Sequence, residues 1–367
     1  MSNFYPVEIM PKDNEITYKE LRQMLEERSQ EVIKRFGHVA ISGLSHPKLL
    51  SIMGEVKNYW KDAYRPALTS FSCEAVGGQL AAVDDVNLVF SLVMAGMGIH
   101  DDVIDKSLNK HFRMTIPGLH SFDDALLVGG LLIIKGLMAA WELLRQKLQP
   151  KKILNIIETI QKSIFEIYEG EFLEISCRKD LDKELEDHIK YLWKFTADAG
   201  ACARIGAILG DGSENEIEIL TEFGRRQAFN IYLREELRDS LSIEGNLVHR
   251  LEYESVPLAI LYAAKSSKAR YREIKSIIEK SPITQVDARR LIEHCFETEA
   301  FTYIYDIAKQ NTGVARQKLK MLPHSSAQET LGLMLEFSLA EITNLPIGIL
   351  FTKTAADNRI DSSACST

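Results

Sequence analysis

Apolar residues recur at spacings of three and four over most of the chain, which is the period of an α-helix. The stretches LRQMLEERSQEVIKRF (21–36) and ILNIIETIQKSIFEIYEGEFLEI (153–175) show this period, whereas the alternation expected of strands is almost absent. Prolines lie between the periodic blocks, as helix boundaries require, at positions 47, 66, 117, 150, 282 and 323. Pro257 is the exception, and we expect it to open a helix. The pattern predicts an all-α protein.

Three segments are apolar on nearly every side, at 79–100, 125–147 and 196–210. Helices of this kind are buried, so we expect these three to be central helices surrounded by the others. No linker rich in Gly, Ser or Pro divides the chain, and no repeat of fixed period is present. We therefore predict one all-α domain over residues 1–351. The polar tail TKTAADNRIDSSACST (352–367) is expected to be frayed.

Composition and charge narrow the class of protein. The chain has 367 residues, 46% of them hydrophobic, which is enough for a substantial core. Its formal net charge of −8 argues against a general affinity for nucleic acids or anionic membranes. Its five cysteines are scattered and form no CxxC, which indicates a reducing cytoplasm. The N-terminus shows no signal pattern and the longest apolar run (128–140) is too short for a membrane span, so we expect a soluble protein.

The stretch GIHDDVIDKS (98–107) places three carboxylates in five positions after an apolar run. Asp101 and Asp105 are one helical turn apart, so their side chains leave the same face, with Asp102 beside them. Three such acids repel one another unless cations lie between them. Mg²⁺ prefers carboxylate oxygens and keeps its other positions for water and phosphate. The alternative is an acidic helix end exposed to solvent.

A second triad, Glu235, Glu236 and Asp239, repeats the same spacing in GRRQAFNIYLREELRDS (224–240). Alone it is ordinary, because Arg234 or Arg238 can neutralise it locally. Two triads that face each other across a helical bundle would hold several Mg²⁺ ions and a diphosphate between them. Such metals assist the departure of a diphosphate by stabilising its developing charge.

With these motifs the sequence resembles the trans-isoprenyl diphosphate synthases. HDDVID resembles the first aspartate-rich motif of that family, and AFNIYLREELRD falls where the family has its second. The resemblance extends over about residues 40–265, through YRPALTSFSCEAVGG (64–78), EGEFLEI (169–175) and FTADAGACARIGAILG (195–210).

This resemblance implies an isoprenoid synthase-type helical bundle around a deep central cavity. It also implies that Asp101 and Asp105 bind metal with Asp102 in support, and that Glu235 and Asp239 hold a third Mg²⁺ ion or its waters. Enzymes of this kind ionise an allylic diphosphate and add the carbocation to isopentenyl diphosphate. The resemblance further implies a homodimer.

The sequence departs from the family pattern mainly at basic positions. Where the family has Gly-Gly-Lys-Arg-x-Arg-Pro, this chain reads WKDAYRP, so Asp62 and Ala63 replace two bases and Arg65 alone matches. Further replacements follow the same trend, at Lys110 and His111 for two arginines, Phe195 for a lysine, Tyr232 for a glutamine and Glu254 for a base. The side chains left to bind diphosphate are Arg65, Lys110, Arg113, Lys194 and the retained Thr196, with Lys61 as a further source of charge.

These departures deplete the site for isopentenyl diphosphate more than the site for the allylic diphosphate, because a metal-free diphosphate site needs several Lys or Arg donors. Three functions follow. The first is a prenyl diphosphate synthase with a modified acceptor site. The second is a terpene cyclase on the same scaffold, which needs no second diphosphate. The third is a weakly active subunit that pairs with an active homologue.

One side of the predicted helix below Asp101 offers a pocket for the prenyl chain. It contains Phe90, Val93, Met94 and Met97, and Tyr232 is expected to join them. In the family that the sequence resembles, bulk before the first aspartate limits product length, and no aromatic residue stands within ten positions before Asp101. We therefore predict a pocket for fifteen carbons or more, with Phe90 as its floor. The alternative is that these residues only pack in the core.

Overall fold

A computed structural model of the chain describes residues 18–143 and 148–345. The polar tail predicted to be frayed, 352–367, lies outside the described residues, as do residues 1–17 and Cys365. The prediction of a single domain over 1–351 therefore concerns partly undescribed chain and stays a prediction.

Residues 18–143 form six α-helices and one short hairpin. They are α1 (Tyr18–Ile41), α2 (Pro47–Tyr59), α3 (Tyr64–Ala75), α4 (Val83–Ile104), α5 (Ile116–Leu119) and α6 (Phe122–Leu143). A short 3₁₀ turn, Leu80–Ala82, precedes α4, and the hairpin of β1 (Asn109–Lys110) and β2 (Arg113–Met114) follows it.

The second half is helical throughout its described residues, apart from loops and one isolated β-bridge between Arg178 and Ser255. Its helices are α7 (Pro150–Ser176), α8 (Leu185–Phe195), α9 (Ala197–Leu209), α10 (Glu214–Ser240), α11 (Leu247–Tyr253), α12 (Leu258–Lys265), α13 (Lys268–Ile278), α14 (Gln285–Phe296), α15 (Ala300–Leu319) and α16 (Ser326–Thr343). The prediction of an all-α fold is confirmed.

The helix boundaries follow from local chemistry. Pro47 and Pro150 occupy the first turn of their helices, where a missing N–H costs nothing. Pro257 is the residue before α12, so the expectation that it opens a helix is confirmed. The long helix α10 begins with a capping box, in which the side chains of Ser213 and Glu216 each accept a hydrogen bond from the backbone N–H of the other.

Two of the three predicted central helices are buried and the third is not. Most of α4 and all of α9 except Arg204 are buried. In contrast, α6 buries one side against α4 and exposes Leu127, Met138 and Trp141. The expectation that segment 125–147 is enclosed is wrong for its described residues, because an apolar pattern on all sides does not fix how many sides other helices cover.

The packing of α4 on α6 depends on glycines that let the two backbones approach closely. A Cβ atom at Gly96 would lie 2.4 Å from the carbonyl oxygen of Gly129, and one at Gly136 would lie 2.6 Å from Cγ2 of Val93. This contact fixes the orientation of α4. The side of α4 that carries Val93 faces α6, while a different side faces the interior of the bundle.

Two helices of the described chain, Leu80–Ile104 and Phe122–Leu143, are long and apolar enough to cross a membrane by length and composition alone. The first is largely buried in the protein, as core helices are, and the second is largely exposed. The run 128–140 therefore belongs to a 22-residue helix. We expected this run to be too short for a membrane span, but the helix that contains it is long enough by length alone.

Candidate active site

A cavity of about 390 Å³ opens between α4, the hairpin, α7, α8, α10 and α11. Both predicted triads contribute to its wall. The acidic side chains that line it are Asp101, Asp105, Glu171, Glu174, Asp198, Glu235, Glu236, Asp239, Glu244 and Glu254. Apolar and aromatic side chains line other parts, among them Met94, Met97, Trp60, Phe195 and Tyr232. The cavity thus combines a crowd of carboxylates with an apolar interior.

The first triad lies at the C-terminal end of α4, where the negative end of the helix dipole favours a cation. Lys110 of β1 is that cation. Its Nζ atom lies 2.6 Å from Oδ2 of Asp101, 3.0 Å from Oδ1 of Asp102 and 3.8 Å from Oδ2 of Asp105. A second base, Arg178, lies 3.6 Å from Asp105. One ammonium group is therefore shared by three carboxylates.

The pKa values of these carboxyl groups show that the cluster is short of positive charge. Burial raises the pKa of Asp102 to about 6, although Lys110 opposes the shift. Burial and the charge of Asp101 raise the pKa of Asp105 to about 10. The same two causes raise the pKa of Glu171, across the cavity on α7, to about 9. A divalent cation would relieve this repulsion.

The donor chemistry of the first triad fits magnesium. Its carboxylate oxygens are the hard ligands that Mg²⁺ prefers, and they already converge on an ammonium group. Within residues 18–143 and 148–345, no three Asp, Glu, His or Cys side chains are spaced to share one metal ion. The carboxylates would therefore have to exchange Lys110 for the metal.

The second triad divides into a buried acid and two acids at the cavity. Glu236 is 2% exposed and contacts Arg250, His188 at 3.1 Å and the backbone N–H of Leu258 at 2.7 Å. Burial alone would raise the pKa of Glu236, but Arg250 and His188 lower it to about 2. Glu236 is thus an ionised anchor for α8, α11 and α12.

Glu235 and Asp239 are the more exposed members of the second triad, with side chains 31% and 16% exposed. Glu235 pairs with Arg234 at 2.7 Å and Arg238 at 3.4 Å, the local neutralisation that its sequence allows. Asp239 contacts Arg250 and accepts a hydrogen bond from Asn246 at 2.7 Å. Burial raises the pKa of Asp239.

Two contacts join the chain segment that follows α4 to the segment that follows α10. Nε2 of His249, on α11, lies 2.8 Å from the backbone carbonyl oxygen of Asp105. The backbone N–H of His111, in the hairpin, donates to Glu244 at 2.8 Å, and Arg238 of α10 contacts the same carboxylate at 2.6 Å. These contacts therefore join the chain that follows the first triad to the chain that follows the second.

Several cavity residues were not singled out from the sequence. Glu171 and Glu174 stand three positions apart on α7, and that spacing in EGEFLEI was a usable signal. Arg250 had no local signal, because its importance comes from contacts with α10, and Glu254 was noted only as an acid where the family pattern has a base. Glu254 lies 3.7 Å from Arg250, and the charge of Arg250 only partly offsets the burial that raises the pKa of Glu254 to about 7.

The structure brings two of the five predicted diphosphate-binding residues to the cavity, Arg65 and Lys110. The other three have different surroundings. Arg113 stacks on Tyr59, with its guanidinium carbon 3.9 Å from the ring centre. Lys194 pairs with Glu169 at 2.7 Å, and the buried Thr196 donates to the backbone carbonyl of Trp193.

The predicted chain pocket is also divided. Met94, Met97 and Tyr232 line the cavity. Phe90 and Val93 are buried in the core and are not among the described residues of the cavity wall, since Val93 packs against Gly136 of α6. No contact between Phe90 and the cavity therefore supports the prediction that Phe90 forms its floor. The two methionines, in contrast, line the cavity.

Comparisons with known proteins agree with this architecture. A family profile described as polyprenyl synthetase matches residues 61–294. A short chain isoprenyl diphosphate synthase of Methanothermobacter thermautotrophicus is 26% identical over 282 residues, which cover 75% of this chain and 85% of the relative. Solanesyl diphosphate synthase 2 of Arabidopsis thaliana, a chloroplastic protein, is 22% identical over 316 residues, 83% of this chain and 73% of that protein.

Solved structures show the same fold. A geranylgeranyl pyrophosphate synthetase from Pyrococcus horikoshii superposes with a TM-score of 0.77 at 20% identity, covering 88% of this chain and 98% of that structure. A decaprenyl diphosphate synthase from Rhodobacter capsulatus gives 0.76 at 18% identity, with 89% and 99% covered. The resemblance drawn from the sequence is confirmed, although the family match begins at residue 61 and continues to 294.

Proposed function

This chain belongs to the polyprenyl synthetase family and is a prenyltransferase, and we propose that it is a Mg²⁺-dependent enzyme that ionises an allylic prenyl diphosphate and transfers the prenyl cation. The observation that carries the proposal is the meeting of both acidic triads in one cavity above an apolar interior. A cavity of this composition suits a ligand with a strongly anionic head and a hydrocarbon tail.

The proposed ligands are Asp101 and Asp105, with Asp102 in support, and Glu235 and Asp239 on the opposite wall. The bound magnesium, expected as three ions, supplies Lewis-acid stabilisation of the departing diphosphate. Lys110 lies among the carboxylates of the first triad. When the metal replaces it there, its ammonium group is positioned to bind a diphosphate oxygen instead. Glu236 and Arg250 keep α10 and α11 in register, so that Asp239 stays at the cavity.

The proposed substrate chain has fifteen carbons or more, as in a polyprenyl diphosphate synthase. Met94 and Met97 lie on the side of α4 that carries Asp101, so a chain whose diphosphate is held by that aspartate would lie along them. The apolar side chains of this wall would limit the access of water to the carbocation. Phe90 lies deeper, in the core below these methionines, and is not assigned to the chain pocket.

The central experiment measures diphosphate release from farnesyl diphosphate with Mg²⁺ and with excess EDTA, followed by mass spectrometry of the products. We expect release only with Mg²⁺, and its loss in Asp101→Asn. Asp123→Asn is the matched control, because Asp123 is an exposed acid in the first turn of α6. Equal release by wild type in EDTA, or by Asp101→Asn in Mg²⁺, would contradict the proposal.

We also propose that the protein is a homodimer that buries the apolar surfaces of α6 and α7. Leu127, Met138 and Trp141 on α6, and Phe165 and Phe172 on α7, are each at least 59% exposed. Large apolar side chains exposed on long helices are typical of an interface. Light scattering should report twice the mass of the chain for wild type and a monomer for Met138→Glu with Trp141→Glu, whereas Lys162→Glu on α7 should remain dimeric.

The proposed location is the cytoplasm. The four cysteines of the described ranges, Cys73, Cys177, Cys202 and Cys295, are buried and form no disulfide with one another. Unpaired thiols suit a reducing compartment. Fractionation of cells that produce the protein should recover it in the soluble fraction, and recovery in the membrane fraction would instead point to the apolar surface of α6.

A further inference from the structure

Arg65 is the basic side chain that α3 contributes to the cavity, and its guanidinium is already occupied. Nε donates to Asp198 at 2.7 Å, Nη1 donates to Asp62 at 2.8 Å, and Nη2 lies 2.5 Å from Asp198. Both carboxylates are mostly buried, with side chains 11% and 6% exposed. One positive charge is therefore matched by two negative charges, and this corner of the cavity carries a net negative charge.

Asp62 cannot leave this arrangement freely, because it also caps α3. Its Oδ1 atom accepts the backbone N–H groups of Tyr64 at 3.0 Å and Arg65 at 3.2 Å. An anion that bound Arg65 would have to displace Asp62 or Asp198 and leave a buried carboxylate without its partner. The geometry therefore makes Arg65 part of a fixed ion pair and not an open anion site.

The charge of the whole cavity leads to the same conclusion. Ten carboxylates and three basic side chains line it, and three more bases, Arg178, Arg234 and Arg238, pair with carboxylates of the wall, so acids outnumber bases by four with the histidines neutral. Three divalent cations would exceed this deficit by two charges, and the first diphosphate would make the cavity negative again. Protonation of some carboxyls reduces the negative charge but provides no cation for a second anion. A second diphosphate has no excess positive charge to bind.

Among the described residues, no other base supplies the positive charge that is missing beside Arg65. Lys61 is exposed, Lys194 pairs with Glu169, and Arg113 stacks on Tyr59. The wall beside Arg65 is instead aromatic, with Trp60, Phe195 and Tyr232 lining the cavity and the last two rings 5.8 Å apart. Aromatic faces suit an uncharged ligand and stabilise a nearby carbocation.

We infer that the acceptor of the prenyl group is an uncharged nucleophile that carries no phosphate, and that Asp62 and Ala63 determine this specificity. The inference rests on the proposed function. In the reaction, the C1–O bond of the allylic diphosphate breaks and the diphosphate leaves with the electron pair. A π or lone electron pair of the acceptor forms the new bond to C1, and the proton that the acceptor loses passes to the released diphosphate.

The test uses isopentenyl diphosphate as a probe, titrated calorimetrically into protein that holds Mg²⁺ and farnesyl thiolodiphosphate. Wild type should show no saturable binding up to about 1 mM, and Asp62→Lys with Ala63→Arg should bind at least about tenfold more tightly. Ala63→Arg alone leaves the cap of α3 intact and should show part of the gain in affinity. This single variant keeps the test valid if the double variant fails to fold. Asp62→Asn is the matched control, because its amide oxygen can keep the cap without adding a base.

Product analysis separates failure of this inference from failure of the proposed function. Wild type should release diphosphate from farnesyl diphosphate at the same rate with and without isopentenyl diphosphate, and should make no longer diphosphate. Longer diphosphates from wild type would overturn the inference and leave the proposed function standing. Absence of Mg²⁺-dependent release and of thiolodiphosphate binding would overturn the proposed function itself. Equal probe binding by wild type and both arginine variants would overturn the role of Asp62 and Ala63.

Discussion

The two acidic triads have the same spacing on their helices but opposite electrostatic surroundings. The main cation of the triad on α4 is Lys110, which comes from a short hairpin and is shared by three carboxylates, and Arg178 lies 3.6 Å from Asp105. The triad on α10 is built around Arg250, which is buried and contacts both Glu236 and Asp239. Spacing therefore identifies acids that share a helix turn. The partner determines whether those acids are available to an exchangeable ion.

The pKa values express this difference. Asp105 has its pKa raised to about 10 by burial and by Asp101, whereas Arg250 and His188 overcome the burial of Glu236 and lower its pKa to about 2. Charge is in deficit at the first triad and balanced at the buried end of the second. We infer that the first triad serves chemistry, and that Glu236 serves stability while Glu235 and Asp239 face the substrate.

The largest effect is expected at the first triad. Asp101→Asn removes one proposed metal ligand and should lower kcat/KM for Mg²⁺-dependent diphosphate release by about 1,000-fold or more, since metal stabilisation of a leaving group amounts to several kcal/mol. The free energy of unfolding should not fall, because the substitution removes a like charge. Steady-state kinetics and urea denaturation on the same preparation measure both. A large loss of stability would show that Asp101 has a structural role, and the first triad would then not differ from Glu236.

The reverse is expected at Glu236. Glu236→Gln leaves the buried Arg250 without its full countercharge and should lower the free energy of unfolding by about 3–5 kcal/mol. Glu235→Gln, one residue earlier and 31% exposed, should change it by less than about 0.5 kcal/mol. Urea denaturation in EDTA checks this pair. Similar values for the two variants would show that the triad is uniform.

Acid pH sharpens the same contrast. The pKa of Glu236 is lowered from an ordinary 4.5 to about 2, so its stabilisation is complete above pH 4.5 and is lost as the pH falls from there toward 2. The loss amounts to about 3 kcal/mol at the acid end of that window. Over the range from pH 5 to 3, the stability difference between wild type and Glu236→Gln should shrink. A constant difference would mean that Glu236 is not ionised in the fold.

Much of this arrangement is local and was therefore predictable. Helical periodicity gave the fold class, and the spacing of Asp101 and Asp105 predicted side chains on one face. The same helical lane predicted Met94 and Met97, which line the cavity, and Val93, which packs against Gly136 of α6. A single helix does not reveal that Gly136 draws the neighbouring helix onto that side.

The remainder depends on contacts between distant parts of the chain. Arg65 was expected to bind diphosphate, but Asp198, 133 positions later, occupies it. The exposed side of α6 depends on which helices cover it, and α6 packs mainly on α4. Arg250 gained its role from α10. For Arg65 and α6 the sequence identified the residues and their pattern, whereas for Arg250 it gave no signal, and in all three cases the fold determined the partner.

The smallest effect on stability is expected at Lys110, and it tests whether this counter-ion of the first triad can be exchanged for a metal ion. Lys110→Met removes the ammonium group shared by the first triad and should lower the free energy of unfolding in EDTA by about 1 kcal/mol, a modest value because the lysine side chain is 32% exposed. Saturating Mg²⁺ should restore stability to within about 0.5 kcal/mol of wild type, because the metal replaces the missing charge. Lys106→Met, which loses a contact with Tyr253 and none with the triad, should show no Mg²⁺-dependent recovery. If Mg²⁺ stabilised wild type and Lys110→Met equally, Lys110 and the metal would not compete, and the ion pairs of the first triad would be as fixed as that of Glu236.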